Sequence, residues 1–177
     1  FVAGVGPVMT EVAAEVGDGY FLHPFNTGES MDKLSMAAID RGLAKAGKSR
    51  TDYSVSAQVI TATGLDEESM QAAVLSARNQ IAFYASTPAY LPVLACHGWE
   101  ALQGEANKLT REGNWAELTR LIDDDILNTF AVVGTPAEVA AQIATRFKGR
   151  VDRISPVVYH PDLDLLTELR EQIAAAL

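Results

Sequence analysis

Short β-branched or apolar runs alternate along this chain with stretches of helical periodicity, and glycine or proline stands at most of the joins. That alternation predicts a parallel sheet whose strands are joined by helical crossovers. Phe1–Val5 reads as a buried strand closed by Gly6-Pro7. Pro7 suits a first helical position, and Val8, Met9, Val12, Ala13 and Val16 then recur at helical spacing. After Gly17-Asp18-Gly19, residues 20–23 form a second strand that runs into a Pro24–Gly28 loop. A helix over 30–46 follows, stopped by Gly47. Residues 53–63 alternate and are rich in β-branched side chains, the pattern of a half-buried strand.

The middle of the chain has a different grain. Asp66-Glu67-Glu68 places acid at a helix start, and Pro88, Pro92, Gly98, Gly104 and Gly113 then break the pattern repeatedly. Residues 66–125 therefore read as a helical insertion of several short helices within one domain spanning 1–177. Regularity returns with a strand at Phe130–Val133. Thr135, Pro136 and Glu138 form a capping-box signature opening a helix over 137–147. A strand at 151–159 and a last helix opened by Pro161 or Asp162 complete the order. No internal repeat is visible beyond the alternation.

Charge and composition remove several function classes. Fourteen Lys and Arg face 23 Asp and Glu, a formal charge of −9, which repels nucleic-acid backbones and anionic lipid. No apolar run reaches the ~18–20 residues of a membrane span. A single cysteine, Cys96, allows neither an internal disulfide nor a cysteine metal cage, and fits a reducing cytoplasmic setting. The opening residue is Phe1, already inside an apolar run, which suggests a piece of something longer.

Few groups are candidates for chemistry. Gly4-Val5-Gly6-Pro7 follows a strand and opens a helix, where backbone N–H groups and the helix dipole favour an anion. The same four residues also serve as a plain tight turn. The full dinucleotide fingerprint is missing, because Met9 and Pro7 interrupt it and Asp18 comes too early for a ribose contact. His23 stands at the C-terminal end of a strand, the rim where parallel α/β proteins place their sites; its alternative is to cap the Pro24 turn. His160 has the same standing at the end of the last strand. Adjacent residues rarely face one another, so Cys96-His97 is not a dyad, and His97 reads as part of a solvent-facing turn. Asp123-Asp124-Asp125 reads as a solvated helix face, and no metal site is expected. Lys45, Lys48 and Arg50 are only loosely grouped. Nucleophile-elbow and P-loop patterns are absent.

The order of these signatures carries a resemblance. Phe1–His23 (FVAGVGPVMTEVAAEVGDGYFLH), Phe130–Ala140 (FAVVGTPAEVA) and Val151-Asp152-Arg153-Ile154 resemble successive elements of the bacterial luciferase-like monooxygenase family. Gln80–Pro92 (QIAFYASTPAYLP) with His97-Gly98-Trp99 is similar to an actinobacterial branch that uses coenzyme F-420, a deazaflavin. The resemblance implies the C-terminal half of a TIM-like (β/α)8 barrel, about strands five to eight, from a family of chains roughly twice this length. A half-barrel leaves its inner face and two sheet edges without partners, so association with a missing half or with a second copy is expected.

The resemblance further implies a flavin-dependent or deazaflavin-dependent oxidoreductase or monooxygenase, with coenzyme F-420 or FMN at the C-terminal mouth and a small-molecule substrate. Gly4, Val5 and Gly6 are then backbone donors to the cofactor phosphate and His23 a side-chain contact. Catalytic residues belong to strands one to four of the family, so none is assigned, and this half alone is expected to be inactive. The rival reading is a non-catalytic α/β binding or assembly module, whose insertion is a contact surface for a basic partner. A phosphosugar-binding half-barrel predicts a Gly-rich loop before the last helix, where His160-Pro161-Asp162 stands instead.

Overall fold

The computed structural model describes residues 1–177. The strands are β1 (Val2–Ala3), β2 (Gly19–Leu22), β3 (Ser54–Ala62), β4 (Val132–Val133) and β5 (Arg153–Val158), and every pairing is parallel. Between β1 and β3 lie α1 (Pro7–Val16), α2 (Gly28–Ser30), a π-helical segment (Met31–Met36) and α3 (Ala37–Ala46). The helical stretch comprises α4 (Glu67–Ala85), α5 (Leu91–Ala95), α6 (Glu100–Glu112), α7 (Trp115–Arg120) and α8 (Asp124–Phe130). Helices α9 (Pro136–Phe147) and α10 (Leu163–Ala176) flank β5. No helix is long and apolar enough to cross a membrane.

Local chemistry sets most helix ends. The Thr135 and Glu138 side chains each accept the other's backbone N–H, as the capping-box spacing predicts. Asp66 and Ser69 do the same for α4. Asp162, not Pro161, caps α10 by accepting from Leu165 N–H at 2.8 Å. Thr27 caps at the close of the Pro24–Gly28 loop, so helix begins slightly earlier than the apolar spacing indicates.

Strand β3 organises the sheet. Ala57 pairs with Leu22 of β2 and with Ile154 of β5, so these two strands lie on opposite sides of it. Thr61 pairs with Val132 of β4 and Val158 of β5, which puts β4 on the β2 side, beyond the end of β2. The continuous order is thus β1-β2-β3-β5, four strands of a barrel wall, with β4 a stub. The expected strand at Phe130–Val133 shrinks to Val132–Val133. Phe130 instead ends α8, because its ring is buried against Phe25 at 4.2 Å.

The side-chain alternation of the strands separates two cores. Tyr20, Leu22, Val55, Ala57 and Val59 point outward and pack with residues of α1, α3, α9 and α10. Ile60 and Ala62, on the opposite face, pack under the helical stretch with Ala73, Ala77 and Phe130. That stretch runs to Phe130 instead of ending at 125, and it lies over the C-terminal end of the sheet.

The remainder of the inner face is open. Gln58 is exposed, and Phe21 keeps 44% of its surface in contact with solvent. Val8, Met9, Val12 and Val16 leave an exposed apolar stripe along α1, with Val8 73% exposed. Both features are those of a barrel wall that lacks its other half.

Candidate functional site

The turn after β1 is held by two side chains from neighbouring elements. Gly6, the residue before α1, has φ +82°, a conformation that a side chain disfavours. The Tyr20 hydroxyl of β2 donates to the Gly4 carbonyl at 2.6 Å, and Thr10 Oγ1 of α1 donates to the Gly6 carbonyl at 2.9 Å. The two hydroxyls stand 3.0 Å apart and are almost wholly buried. A trans peptide sets its C=O and N–H on opposite sides. Pinning the Gly4 carbonyl to Tyr20 therefore turns the Val5 N–H away from Tyr20. With the positive end of the α1 dipole adjacent, the turn can accept an anion.

His23 sits one residue past β2, beside that turn. Its Nδ1 accepts the Phe25 N–H at 3.1 Å, so it caps the Pro24 turn, and its Nε2 meets the Tyr90 hydroxyl at 2.9 Å. The Tyr90 ring stacks on the imidazole at 4.8 Å, and Tyr84 meets it edge-on at 4.8 Å. The turn cap read from the sequence is thus formed, by a side chain that stands at the strand end. Val5, Gly6, His23, Asn26 and Tyr90 share a partly open pocket of about 50 Å³. Ala3, Gly4, Val5, Phe21, His23 and Gln58 line the open mouth next to it.

Burial pulls the pKa of His23 down from 6.5 to about 4, so its ring is neutral at pH 7. As pH falls below ~6.5 the unfolded chain takes up this proton first, and stability is lost progressively down to about 4. Discounted for the ring's partial contact with solvent, the loss is about 1–2 kcal/mol. Urea midpoints at pH 7 and pH 4.5 measure it. The His23→Gln variant must show a smaller difference between the two; an equal difference refutes the assignment.

The other candidates are placed elsewhere. His97 is not in a solvent-facing turn. Its ring is largely buried, stacks on Trp99 at 4.9 Å, and bonds Thr27 Oγ1 through Nε2 at 2.9 Å. Its sequence position at a Gly98 turn concealed this contact with a residue far away in the chain. Cys96 points back to the Pro92 carbonyl, and burial pushes its thiol pKa up. His160 is exposed and bonds Ser76 of α4 at 2.8 Å, away from the turn. Asp123 caps α8, and Asp124 pairs with Arg78. No group of three His, Cys, Asp or Glu is placed to hold a metal ion. Lys45 pairs with Glu11, Lys48 donates to the Glu15 and Gly17 carbonyls, and Arg50 pairs with Asp152.

Tyr20, Thr10, Asn26, Tyr84 and Tyr90 belong to no motif that marks them as site residues in the sequence. Tyr20 carries no local signal, since its partner atoms belong to the turn sixteen residues earlier. Tyr84 and Tyr90 do lie within the Gln80–Pro92 stretch that resembles coenzyme F-420 proteins.

Comparison with known proteins agrees with this architecture. The chain is 43% identical over 157 residues to an uncharacterized protein of Mycobacterium tuberculosis, covering 89% of this chain and 46% of that protein. It is 30% identical over 161 residues to a 5,10-methylenetetrahydromethanopterin reductase of Archaeoglobus fulgidus, covering 87% of this chain and 46% of the reductase. The chain thus spans about half the length of the curated relatives it matches. A solved coenzyme F-420-dependent tetrahydromethanopterin reductase from Methanopyrus kandleri superposes with a TM-score of 0.75 at 22% identity, over 96% of this chain and 48% of that one. An F-420-dependent secondary alcohol dehydrogenase, solved with an F-420-acetone adduct, gives 0.63 at 15% identity, over 98% and 47%. The fold is half of a TIM-like barrel. The family profile described as luciferase-like monooxygenase matches residues 1–153, and the chain belongs to that family.

Proposed function

We propose that the polypeptide carrying this chain is a coenzyme F-420-dependent oxidoreductase acting on a small-molecule substrate. The observation that carries this reading is the pinned turn. With Gly4 and Gly6 carbonyls held by Tyr20 and Thr10, the Val5 N–H and the α1 terminus are free for the cofactor phosphate. His23 stands beside them neutral, with both ring nitrogens engaged by Phe25 and Tyr90, so it would meet the cofactor by packing and not by a hydrogen bond. When bound, the reduced deazaflavin supplies the hydride, and the protein's part is to hold and orient it. The solved structures named as F-420-dependent support a deazaflavin over FMN. A reducing, cytoplasmic setting is part of the same reading and suits the half-buried thiol of Cys96.

The site needs a second wall. Arg153 lies on the open inner face over the Phe1 ring at 5.3 Å and is in none of the chain's ion pairs. Two copies of this chain would set two such cations against each other inside one barrel. A complementary (β/α)4 unit that brings a carboxylate fits better, and the 19.0 kDa chain alone is expected to bind cofactor poorly and be inactive.

Equilibrium dialysis of the full gene product against coenzyme F-420 and FMN tests the reading. Binding of F-420 should exceed that of FMN. Tyr20→Phe, which frees the Gly4 carbonyl, should weaken F-420 by about 5–10-fold. Preference for FMN, or wild-type affinity in Tyr20→Phe, refutes it. Light scattering on the isolated chain reads the pairing, and a stable symmetric dimer would exclude the complementary unit.

A further inference from the structure

Two side chains that line the pocket beside His23 have hydrogen-bonding atoms of opposite need. Asn26 is 6% exposed and its Nδ2 donates to the His23 carbonyl, which leaves Oδ1 buried with no donor. Tyr90 has the reverse requirement. Because Nδ1 of His23 accepts from Phe25, the neutral ring carries its proton on Nε2, and that N–H donates to the Tyr90 oxygen. The Tyr90 O–H is then left over, and no hydrogen bond in the structure uses it. Burial raises the Tyr90 pKa, which keeps the phenol protonated.

Both side chains line the same small cavity, whose wall contains no Lys or Arg. The π-helical segment contributes Leu34 and Ser35 to that wall, and such segments often mark functional sites. An unpartnered buried acceptor and a spare donor on the half-buried Tyr90 both favour an occupant. A phosphate or carboxylate oxygen would meet Asn26 lone pair to lone pair. An ammonium would leave Tyr90 without an acceptor. An alcohol accepts and donates through one atom, and about 50 Å³ admits a hydroxyl with its carbon but no ring.

We propose that this cavity is a hydroxyl-recognition subsite, in which a ligand alcohol accepts from Tyr90 and donates to Asn26. The proposal rests on the preceding reading only for what brings the hydroxyl there, an arm of the cofactor or of the substrate held at the mouth.

The test uses the full gene product, with glycerol as probe and glycerol tri-O-methyl ether as control, followed by the chemical shift of the Asn26 side-chain amide. Glycerol should shift it saturably, and the ether, which cannot donate, should not. In Tyr90→Phe, which keeps the ring stacked on His23, glycerol affinity should fall about 10-fold. Should that variant fail to fold, the contrast between glycerol and ether in the wild type decides. Repeating the titration in saturating coenzyme F-420 separates the sources. Exclusion of glycerol assigns the hydroxyl to the cofactor, and retention assigns it to the substrate. No saturable shift, an equal response to the ether, or an unchanged affinity in Tyr90→Phe overturns the proposal. Failure of F-420 to bind at all counts against the preceding reading and leaves the glycerol result standing.

Discussion

Replacing Gly42 with alanine will destabilise the protein by about 2–3 kcal/mol, opposite in sign to the usual gain from Gly→Ala within a helix. Gly42 lies inside α3, where helix propensity alone favours alanine by about 1 kcal/mol. Tertiary packing reverses the preference. A Cβ at this position would stand 2.2 Å from the Glu11 carbonyl oxygen and 2.7 Å from the Ala14 Cβ. The first obstacle is backbone, so it cannot swing aside as a side chain can. Ala13 and Ala14 are fully buried at the same crossing, and α1 must shift to make room. That shift is transmitted to Gly6 and Pro7 at the other end of the ten-residue helix, where the candidate site begins. Urea unfolding of the two proteins measures the difference, and a Gly42→Ala protein as stable as the parent overturns the packing argument.

Phe130→Ala will cost more, about 3–5 kcal/mol, as expected for a buried aromatic cut to a methyl group. Phe130 stacks on Phe25 at 4.2 Å with ring planes 7° apart, and its edges reach Trp99 and His97 at 6.2 and 6.3 Å. It therefore joins three segments: the loop after β2, the α5–α6 turn and the end of α8. Its loss should loosen the helical stretch from the mouth as well as lower global stability. Hydrogen exchange should quicken around Thr27 and His97, whose mutual bond depends on this packing. Phe130→Leu, which retains most of the volume, should cost well under half as much. Equal losses for the two variants would mean that ring stacking, not filled volume, holds the stretch in place.

The helix and strand order was legible because its signals are local. Tyr53–Thr63 alternates, and β3 occupies Ser54–Ala62. Thr135, Pro136 and Glu138 announce α9 within four residues, and the structure forms that cap. Phe130–Val133 departs from its sequence pattern for a physical reason: an apolar run reports burial, and burial in a helix end looks the same as burial in a short strand. His97 failed differently. A histidine before glycine reads as a surface turn until its ring is seen against Trp99 and Thr27.

The parallel α/β class, the positions of the caps and the turn at Gly4–Pro7 are written in local signals, since hydrogen bonds between near neighbours and side-chain periodicity act over a few residues. Which groups meet at that turn depends on how the whole chain packs. Tyr20 reaches Gly4 from sixteen residues away, Tyr90 reaches His23 from 67, and His97 reaches Thr27 from 70. Residue spacing carries no record of such contacts. They follow from the pairing of β2 and β5 on opposite sides of β3 and from the helical stretch folding back over the strand ends, where burial against Phe130 and Ile60 outweighs the local freedom of the loops.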